Sequence, residues 1–495
     1  MLDADLCLEL SLFSGDFLGG TICLAELLVY AILAGCSGLD TMKLFITVLM
    51  DSTKSSSERV ESIFEDKKLV LVARFVLMLV SYQIWCSFVR SVDAKYSQQK
   101  NIQQTSKSKD DKSCNDKVKP TSPQKDEAQN VLKSSTSNVM EKYDAVQAYL
   151  DILAKPMGSL GTLEEWATRI SVLQNSLQPK ADKVSAIIFA GDHGVAAAKE
   201  DGGEGCSLYP QAVTKAILKG LQQNVAGASV LAKGLGLNLS VVDVGVVGEK
   251  YTGQVVKSAE NKLVNGTRNF CTEAAMTMEE VDRCLDMGKK AVAQAAEETS
   301  CQVVALGEVG IGNTTTASTL IAALTDKPAV ELCGGGAFAS HMVDEDKIKR
   351  KIEIVETALT KHKESLTESI FILSKVGGSE IAALVGAMIE ASDRKIAILV
   401  DGFIVTAAAL VAVRMKPNVC NALFFTTKSA EKGQVAAIEQ IQAIAKEQGL
   451  PIPASPALSM ELRMGECTGA LLAVPILQSS TAMITNMATI QDILS

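Results

Sequence analysis

Between residues 139 and 495, short apolar runs alternate with longer amphipathic segments, and glycine stands at most of the boundaries. This alternation of strand and helix patterns is typical of α/β proteins with a mostly parallel sheet. The strand candidates are residues 185–190, 239–243, 302–306, 395–400 and 422–425. We therefore predict a Rossmann-like, three-layer α/β domain over residues 138–495, with helices on both faces of the sheet and a small additional helical part.

Residues 1–90 have a different character. They contain two apolar stretches, 17–39 and 69–89, which polar residues such as Glu26 and Arg74 interrupt. The second stretch is long enough for a membrane-spanning helix, which needs about 20 residues, whereas a carboxylate inside a span is costly in lipid. We predict a hydrophobic leader with one or two transmembrane helices. A pair of soluble helices, or a leader that is removed, is the alternative.

Residues 91–137 are polar and contain almost no aromatic or branched apolar side chain. Such a segment cannot bury enough surface to fold, so we predict a disordered polar linker. Leader and linker together would anchor the α/β domain to a membrane, with that domain in a reducing compartment, either the cytosol or an organelle interior. The domain would be soluble if the leader were removed.

Charge and cysteine content narrow the range of partners. The 495-residue chain has a net charge of -9, which argues against nucleic acid because phosphate contacts need a clustered basic face. Its 12 cysteines include no Cys-x-x-Cys pair, and it has only 3 histidines. We therefore predict reduced thiols, no metal site and small-molecule partners.

A glycine loop, residues 307–316, follows the apolar run 303–306 and reads Gly-Glu-Val-Gly-Ile-Gly-Asn-Thr-Thr-Thr. This pattern predicts a strand, a sharp turn and the start of a helix. Glycines let backbone N–H groups approach an anion, and a helix N-terminus adds positive potential. Asn313 stands where a Walker A loop has its lysine, so a triphosphate is disfavoured. We predict a monophosphate site; a turn without a ligand is the alternative.

Polar or glycine turns also follow other strand candidates, as at Asp192-His193, Gly245 and Asp401-Gly402. Ligands of open α/β sheets bind at the carboxyl ends of the strands. These turns are therefore expected to meet at one crevice.

Several motifs occur in an order that resembles the nicotinate-nucleotide–dimethylbenzimidazole phosphoribosyltransferase family. They are Lys155-Pro-Met-Gly-Ser-Leu-Gly161, Phe189-Ala-Gly-Asp-His-Gly-Val195, the glycine loop, Gly377-Gly-Ser-Glu-Ile-Ala-Ala383, Asp401-Gly-Phe-Ile404 and Leu462-Arg-Met-Gly-Glu-Cys-Thr-Gly-Ala470. The resemblance covers about residues 140 to 495, and nothing before residue 138 belongs to the family pattern.

The resemblance implies transfer of the phosphoribosyl group of nicotinate mononucleotide to 5,6-dimethylbenzimidazole or a related azole. The products are α-ribazole 5'-phosphate, used for the lower ligand of cobalamin, and nicotinate. This reaction needs a phosphate site, an apolar slot for the azole, a carboxylate that accepts its ring proton, and walls that exclude water. No cofactor or metal is implied, and family members are homodimers.

The same resemblance implies three sets of site residues. The catalytic set is Glu466, Glu308 and Lys351. The set that binds phosphate and ribose is Gly310, Ile311, Gly312, Asn313, Thr314, Gly377, Gly378, Asp401 and Gly402. The set that binds the azole is Asp192, His193, Ser207, Leu208, Tyr209, Pro210 and Met464.

The residues around Glu466 are consistent with a general base. Gly465 and Gly469 can bring its carboxylate into a cleft, and the apolar run 470–477 can limit its solvation. Desolvation raises a carboxyl pKa toward the range of a general base. Without the motif, a Gly-Glu turn would more often be a surface feature, and Lys351 would be part of a solvated basic helix face.

The chain also departs from the family pattern. Gly334-Gly-Gly-Ala-Phe338 replaces Gly-Arg-Gly-Thr-Gly, and Thr427-Lys-Ser-Ala-Glu-Lys-Gly-Gln434 lacks both histidines of the usual motif. Lys215-Ala216 stands where a glutamine is usual. These changes bear on which aromatic base is accepted. The alternative function is a catalytically impaired nucleotide- or azole-binding homologue, tethered to a membrane.

Overall fold

The computed structural model of the protein describes residues 123–197, 206–207, 209–336 and 345–494. They all belong to one unit, Lys119–Ser495. The predicted hydrophobic leader and its transmembrane helices lie outside the described residues.

A six-stranded parallel sheet with the strand order β3-β2-β1-β4-β5-β6 forms the centre of this unit. Its strands are β1 (Val184–Gly191), β2 (Asn238–Gly245), β3 (Val256–Ser258), β4 (Val303–Val309), β5 (Ala397–Val400) and β6 (Leu423–Phe425). The predicted α/β class is confirmed. Only β3 lacks a counterpart among the strand candidates, because three residues are too few to show a strand period.

Helices cover both faces of the sheet. In chain order they are α1 (Pro123–Lys133), α2 (Val139–Asp151), α3 (Thr162–Gln174), α4 (Val213–Gln222), α5 (Gly227–Gly234), α6 (Met278–Thr299), α7 (Asn313–Thr325), α8 (Ala329–Leu332), α9 (Glu345–His362), α10 (Ser369–Val376), α11 (Ser379–Asp393), α12 (Phe403–Met415), α13 (Gly433–Glu447), α14 (Thr468–Asn486) and α15 (Ile490–Leu494). Helices α6 and α11 pack together against β1 and β2, and α14 packs against β4 and β5.

The strand order reverses at the centre of the sheet. From β1 the chain adds β2 and β3 on one side, and from β4 it adds β5 and β6 on the other. In open α/β sheets this switch point opens a crevice at the carboxyl ends of the strands. Every residue of β1 and of β4 is buried, which is why both appear in the sequence as continuous apolar runs.

A second hydrophobic cluster joins the two ends of the described chain. Ala128 and Leu132 of α1 pack with Leu150 of α2 and with Ile484 of α14. This cluster is the predicted small helical part. The prediction of a disordered linker as far as residue 137 is wrong for α1, because Ala128 and Leu132 lie one helical turn apart and find an apolar surface at the far end of the chain.

Within the part of the chain that the structure describes, α14 is the one helix long and apolar enough to cross a membrane. Most of it is buried in the protein, against α3, α5, β4 and β5. A central helix in a large hydrophobic core has the same length and apolar composition as a membrane span, and α14 is such a core helix.

Candidate active site

A cavity of about 160 Å³ opens beyond the carboxyl ends of β4 and β5. Its walls come from residues 308–311, 313–314, 401–404, 427, 429–431 and 462–466, together with Ile217 and Gly336. The turns after β4 and β5 therefore meet at this crevice, whereas the turns at Asp192-His193 and Gly245, which the sequence also predicts to meet there, do not line it. Many predicted site residues line this cavity: Glu308, Gly310, Ile311, Asn313, Thr314, Asp401, Gly402, Met464 and Glu466. The carboxylate proposed as the base and the glycine loop thus share one cavity.

The glycine loop is shorter than predicted, since β4 continues through Glu308 to Val309. Gly312 has φ +97°, a left-handed conformation that favours glycine, and α7 begins at the next residue. The Asn313 side-chain amide donates to the Glu308 carboxylate. The N–H of Ile311 donates to the Thr214 hydroxyl at 3.3 Å, so this N–H already has an acceptor within the protein.

Glu308 is a buried carboxyl in an acidic surrounding. Desolvation raises its pKa well above the usual range, and the nearby carboxylates of Asp401, Glu380 and Glu466 raise it further. Both effects disfavour the charged form. Glu308 is therefore suited to donate a hydrogen bond to a ligand through a protonated carboxyl.

Glu466 lies in a turn that the surrounding backbone holds in an unusual conformation. Glu466 and Cys467 have φ +56° and +67°, which is uncommon for residues other than glycine. A β-carbon on Gly307 would lie 2.5 Å from Cys467 Cβ and 2.6 Å from its Cα, so the turn packs directly on β4. Burial raises the pKa of Glu466, as expected of a general base.

Asp401, at the carboxyl end of β5, fixes the other side of this turn. Its Oδ1 accepts hydrogen bonds from the N–H groups of Gly469 at 2.6 Å and Ala470 at 3.1 Å, in the first turn of α14. Its Oδ2 has no hydrogen-bond donor among the described residues. Desolvation raises the pKa of Asp401 to about 7, although the backbone donors act in the opposite direction.

We predict that Asp401→Asn changes the pH dependence of stability. The raised pKa means that the folded state binds the Asp401 proton more tightly than the unfolded state does. The associated stability is present at about pH 4 and is lost as the pH rises through about 7, whereas the neutral amide does not titrate. The unfolding temperature of the variant should therefore rise relative to the native protein between these pH values. Asp144→Asn, an exposed change on α2, is the control. A difference that stays constant with pH would contradict the prediction.

Lys351 does not line the cavity but supports a residue that does. It is buried on α9, where its Nζ donates to the Gly334 carbonyl at 3.1 Å and lies 3.8 Å from Glu431 Oε2. The Glu431 carboxylate lines the cavity and accepts a hydrogen bond from the N–H of Gly336. Lys351 is therefore not on a solvated helix face. It lies behind the cavity wall, with Glu431 between it and the cavity.

Asp192 and His193 lie behind the glycine loop, each 1% exposed. The His193 ring is held between Thr316 Oγ1, 2.9 Å from Nδ1, and Glu380 Oε1, 2.7 Å from Nε2. Asp192 Oδ2 accepts from the N–H of Val247 at 2.9 Å. The predicted contact of Asp192 and His193 with the azole is not supported, because both side chains are enclosed by protein partners.

Gly377 and Gly378 are also away from the cavity. A β-carbon on Gly378 would lie 2.5 Å from the His193 ring, and one on Gly377 would meet Leu373. The absence of side chains here allows close packing of α10 and α11 on the buried histidine. Neither glycine lines the cavity, so their contact with phosphate stays a prediction. A β-carbon added to Gly312 would likewise lie close to Ala196 and Cys206.

Among the residues predicted for the azole, Met464 lines the cavity, whereas Ser207, Tyr209 and Pro210 do not. Leu208 lies outside the described residues. The roles of these four remain predictions.

The departures from the family pattern can be located. Thr427 lines the cavity. Gln434 lies behind it, where its side chain accepts from the N–H of Ser429 at 2.7 Å and donates to the Thr427 carbonyl at 2.9 Å. Gln434 thus holds the loop that lines the cavity.

The cavity residues that were not predicted from the sequence are Ile217, Val309, Gly336, Phe403, Ile404, Thr427, Ser429, Ala430, Glu431, Leu462, Arg463 and Gly465. Most of them lie inside motifs that were recognised, directly beside selected residues. Adjacency in those motifs was the available signal. Among the described residues, no cluster of His, Cys, Asp and Glu is arranged to hold a metal ion.

Comparison with known proteins gives a consistent result. Residues 137–493 match the model of a phosphoribosyltransferase family. A nicotinate-nucleotide–dimethylbenzimidazole phosphoribosyltransferase from Bradyrhizobium diazoefficiens is 38% identical over 337 residues, which are 68% of this chain and 89% of the relative. One from a Shewanella species is 35% identical, over 72% of this chain and 94% of the relative. The crystal structure of CobT from Thermus thermophilus has a TM-score of 0.63 and 33% identity, over 71% of this chain and 98% of that one.

The α/β fold, the cavity at the carboxyl ends of β4 and β5 and the family match make this protein a phosphoribosyltransferase. More narrowly, the chain belongs to the nicotinate-nucleotide–dimethylbenzimidazole phosphoribosyltransferase family. The resemblance read from its motifs is confirmed.

Proposed function

We propose that the protein transfers the phosphoribosyl group of nicotinate mononucleotide to 5,6-dimethylbenzimidazole or a related azole. The products are α-ribazole 5'-phosphate, for the lower ligand of cobalamin, and nicotinate. The observation that carries this proposal is the shared cavity, whose wall contains both the glycine loop and the carboxylate of Glu466.

Each group has a role in this reaction. The start of α7 offers the N–H of Thr314 and its positive potential to the phosphate, since the N–H groups of Asn313, Thr315 and Thr316 already donate to carbonyls of Gly310 and Gly312. Glu308 orients the ribose or the incoming base. The unprotonated azole nitrogen attacks the anomeric carbon, the bond to the nicotinate nitrogen breaks, and Glu466 accepts the proton from the other ring nitrogen of the azole. Nicotinate leaves as a neutral ring nitrogen, so the departing group needs no proton.

Lys351 acts through Glu431 in this proposal. The pair holds Gly334 and Gly336 against the cavity wall, in the segment where the family's arginine is absent. A catalytically impaired binding protein is the second candidate function, and the absence of that arginine and of the histidines at positions 427 and 434 favours it.

The test uses the full-length protein with nicotinate mononucleotide and dimethylbenzimidazole. Release of nicotinate that requires the azole, together with formation of an α-linked ribotide, would support the transferase. Tight binding of the nucleotide without any release would support the impaired homologue instead.

Membrane anchoring and a homodimer remain further proposals for this chain. The polar linker and apolar stretches before α1 motivate the first, and membership of the family motivates the second. Anchoring would be supported if the full-length protein sediments with membranes and if detergent releases it from them. Mass determination in solution would decide the oligomeric state, and a monomeric mass would reject the dimer.

A further inference from the structure

Arg463 is an unusual cavity residue. Among the described residues that line the cavity, it is the sole lysine or arginine, whereas Glu308, Asp401, Glu431 and Glu466 all contribute carboxyl groups. The structure gives its guanidinium no ion pair or hydrogen bond within the described chain. A free guanidinium beside several carboxyl groups is available for an anionic ligand.

The proposed substrate brings two anionic groups, a phosphate and the carboxylate of the nicotinate ring. The glycine loop and the start of α7 can bind the phosphate through N–H groups and the helix dipole, without a cation. The ring carboxylate has no such site, and each ionised carboxyl group in the wall would repel it. A positively charged group is therefore needed at the end of the nucleotide that carries the nicotinate ring.

The position of Arg463 in the chain fits this need. It is separated from Glu466 by only two residues, and this segment spans at most about 10 Å. In a displacement with inversion, the entering azole and the leaving nicotinate lie on opposite sides of the anomeric carbon. One short segment can thus place the base beside the azole and the guanidinium beside the leaving ring.

We propose that Arg463 binds the carboxylate of the leaving nicotinate ring and makes the enzyme select the acid nucleotide over its amide. This inference rests on the proposed function. A planar guanidinium can bind a carboxylate through two parallel N–H donors, and a neutral carboxamide cannot accept both bonds equally well.

The experiment compares nicotinate mononucleotide with nicotinamide mononucleotide, using the full-length protein. Dissociation constants from calorimetry and kcat/KM values are measured for the native protein and for Arg463→Gln. We expect the variant to lose on the order of 10- to 100-fold in affinity and kcat/KM for the acid nucleotide, and to change little for the amide. Arg463→Lys should keep part of the preference.

Lys428→Gln is the matched control, because Lys428 is an exposed cation in the neighbouring loop that does not line the cavity. It should leave the ratio of the two nucleotides unchanged. Equal losses for both nucleotides would show that Arg463 binds the phosphate or supports folding. Unchanged binding of both would show that Arg463 does not contact the substrate. Either result overturns the proposal. If the native protein turns over neither nucleotide, the transferase function fails, while the binding ratio still decides the role of Arg463.

Discussion

Replacing Glu466 by glutamine is expected to lower kcat for nicotinate release by about 10²- to 10⁴-fold, the usual contribution of a general base. Glutamine has nearly the same shape but cannot accept the ring proton of the azole. The KM for nicotinate mononucleotide should change little, because the nucleotide binds before this proton moves. The measurement is steady-state nicotinate release with saturating azole.

Glu461→Gln is a suitable control for this change. Glu461 is an exposed carboxylate in the same segment, also with a positive φ, and it does not line the cavity. It should retain native activity. A Glu466→Gln variant with native kcat would show that a group other than Glu466 accepts the proton.

Gly307→Ala should reduce activity although residue 307 does not line the cavity. The added methyl group would overlap the backbone of Cys467, so β4 and the turn must move apart. Overpacking of this kind costs roughly 1–3 kcal/mol of stability. A shift of about 1 Å in a catalytic group can cost on the order of 100-fold in rate. We expect a folded variant with a lowered unfolding temperature and a kcat that falls more than KM rises.

The matched control is Gly234→Ala at the end of α5, where an added β-carbon meets nothing within 4 Å. This variant should keep native activity. If Gly307→Ala were as active as native, the contact between β4 and the turn would not position Glu466.

The sequence predicts those parts of the fold and site that depend on local patterns. The strands β1 and β4 are continuous apolar runs because each is buried along its full length. The glycine loop and Glu466 lie in motifs whose spacing is specific, and both line the cavity. The Rossmann-like class follows from the same alternation of strand and helix.

Features that depend on distant partners could not be predicted. His193 is predicted to bind the azole, and the sequence does not show that Glu380, 187 positions away, holds its ring. Lys351 belongs to a basic run of sequence, and its burial depends on Glu431 from another helix–strand unit. Helix α1 lies in a polar segment, and it folds because Ile484 and its neighbours supply an apolar surface.

The arrangement of β1 beside β4, with α14 packed behind β4, has a consequence for synthesis of the protein. Val184 pairs with Val303, so a nascent chain cannot complete the centre of its sheet until more than a hundred further residues have left the ribosome. Residues 466–486 emerge later still, and they bring both the carboxylate proposed as the base and the apolar partner of α1. Synthesis must therefore reach residue 486 before any activity can appear, and a chain that stops before α14 would expose the surface that α14 normally covers.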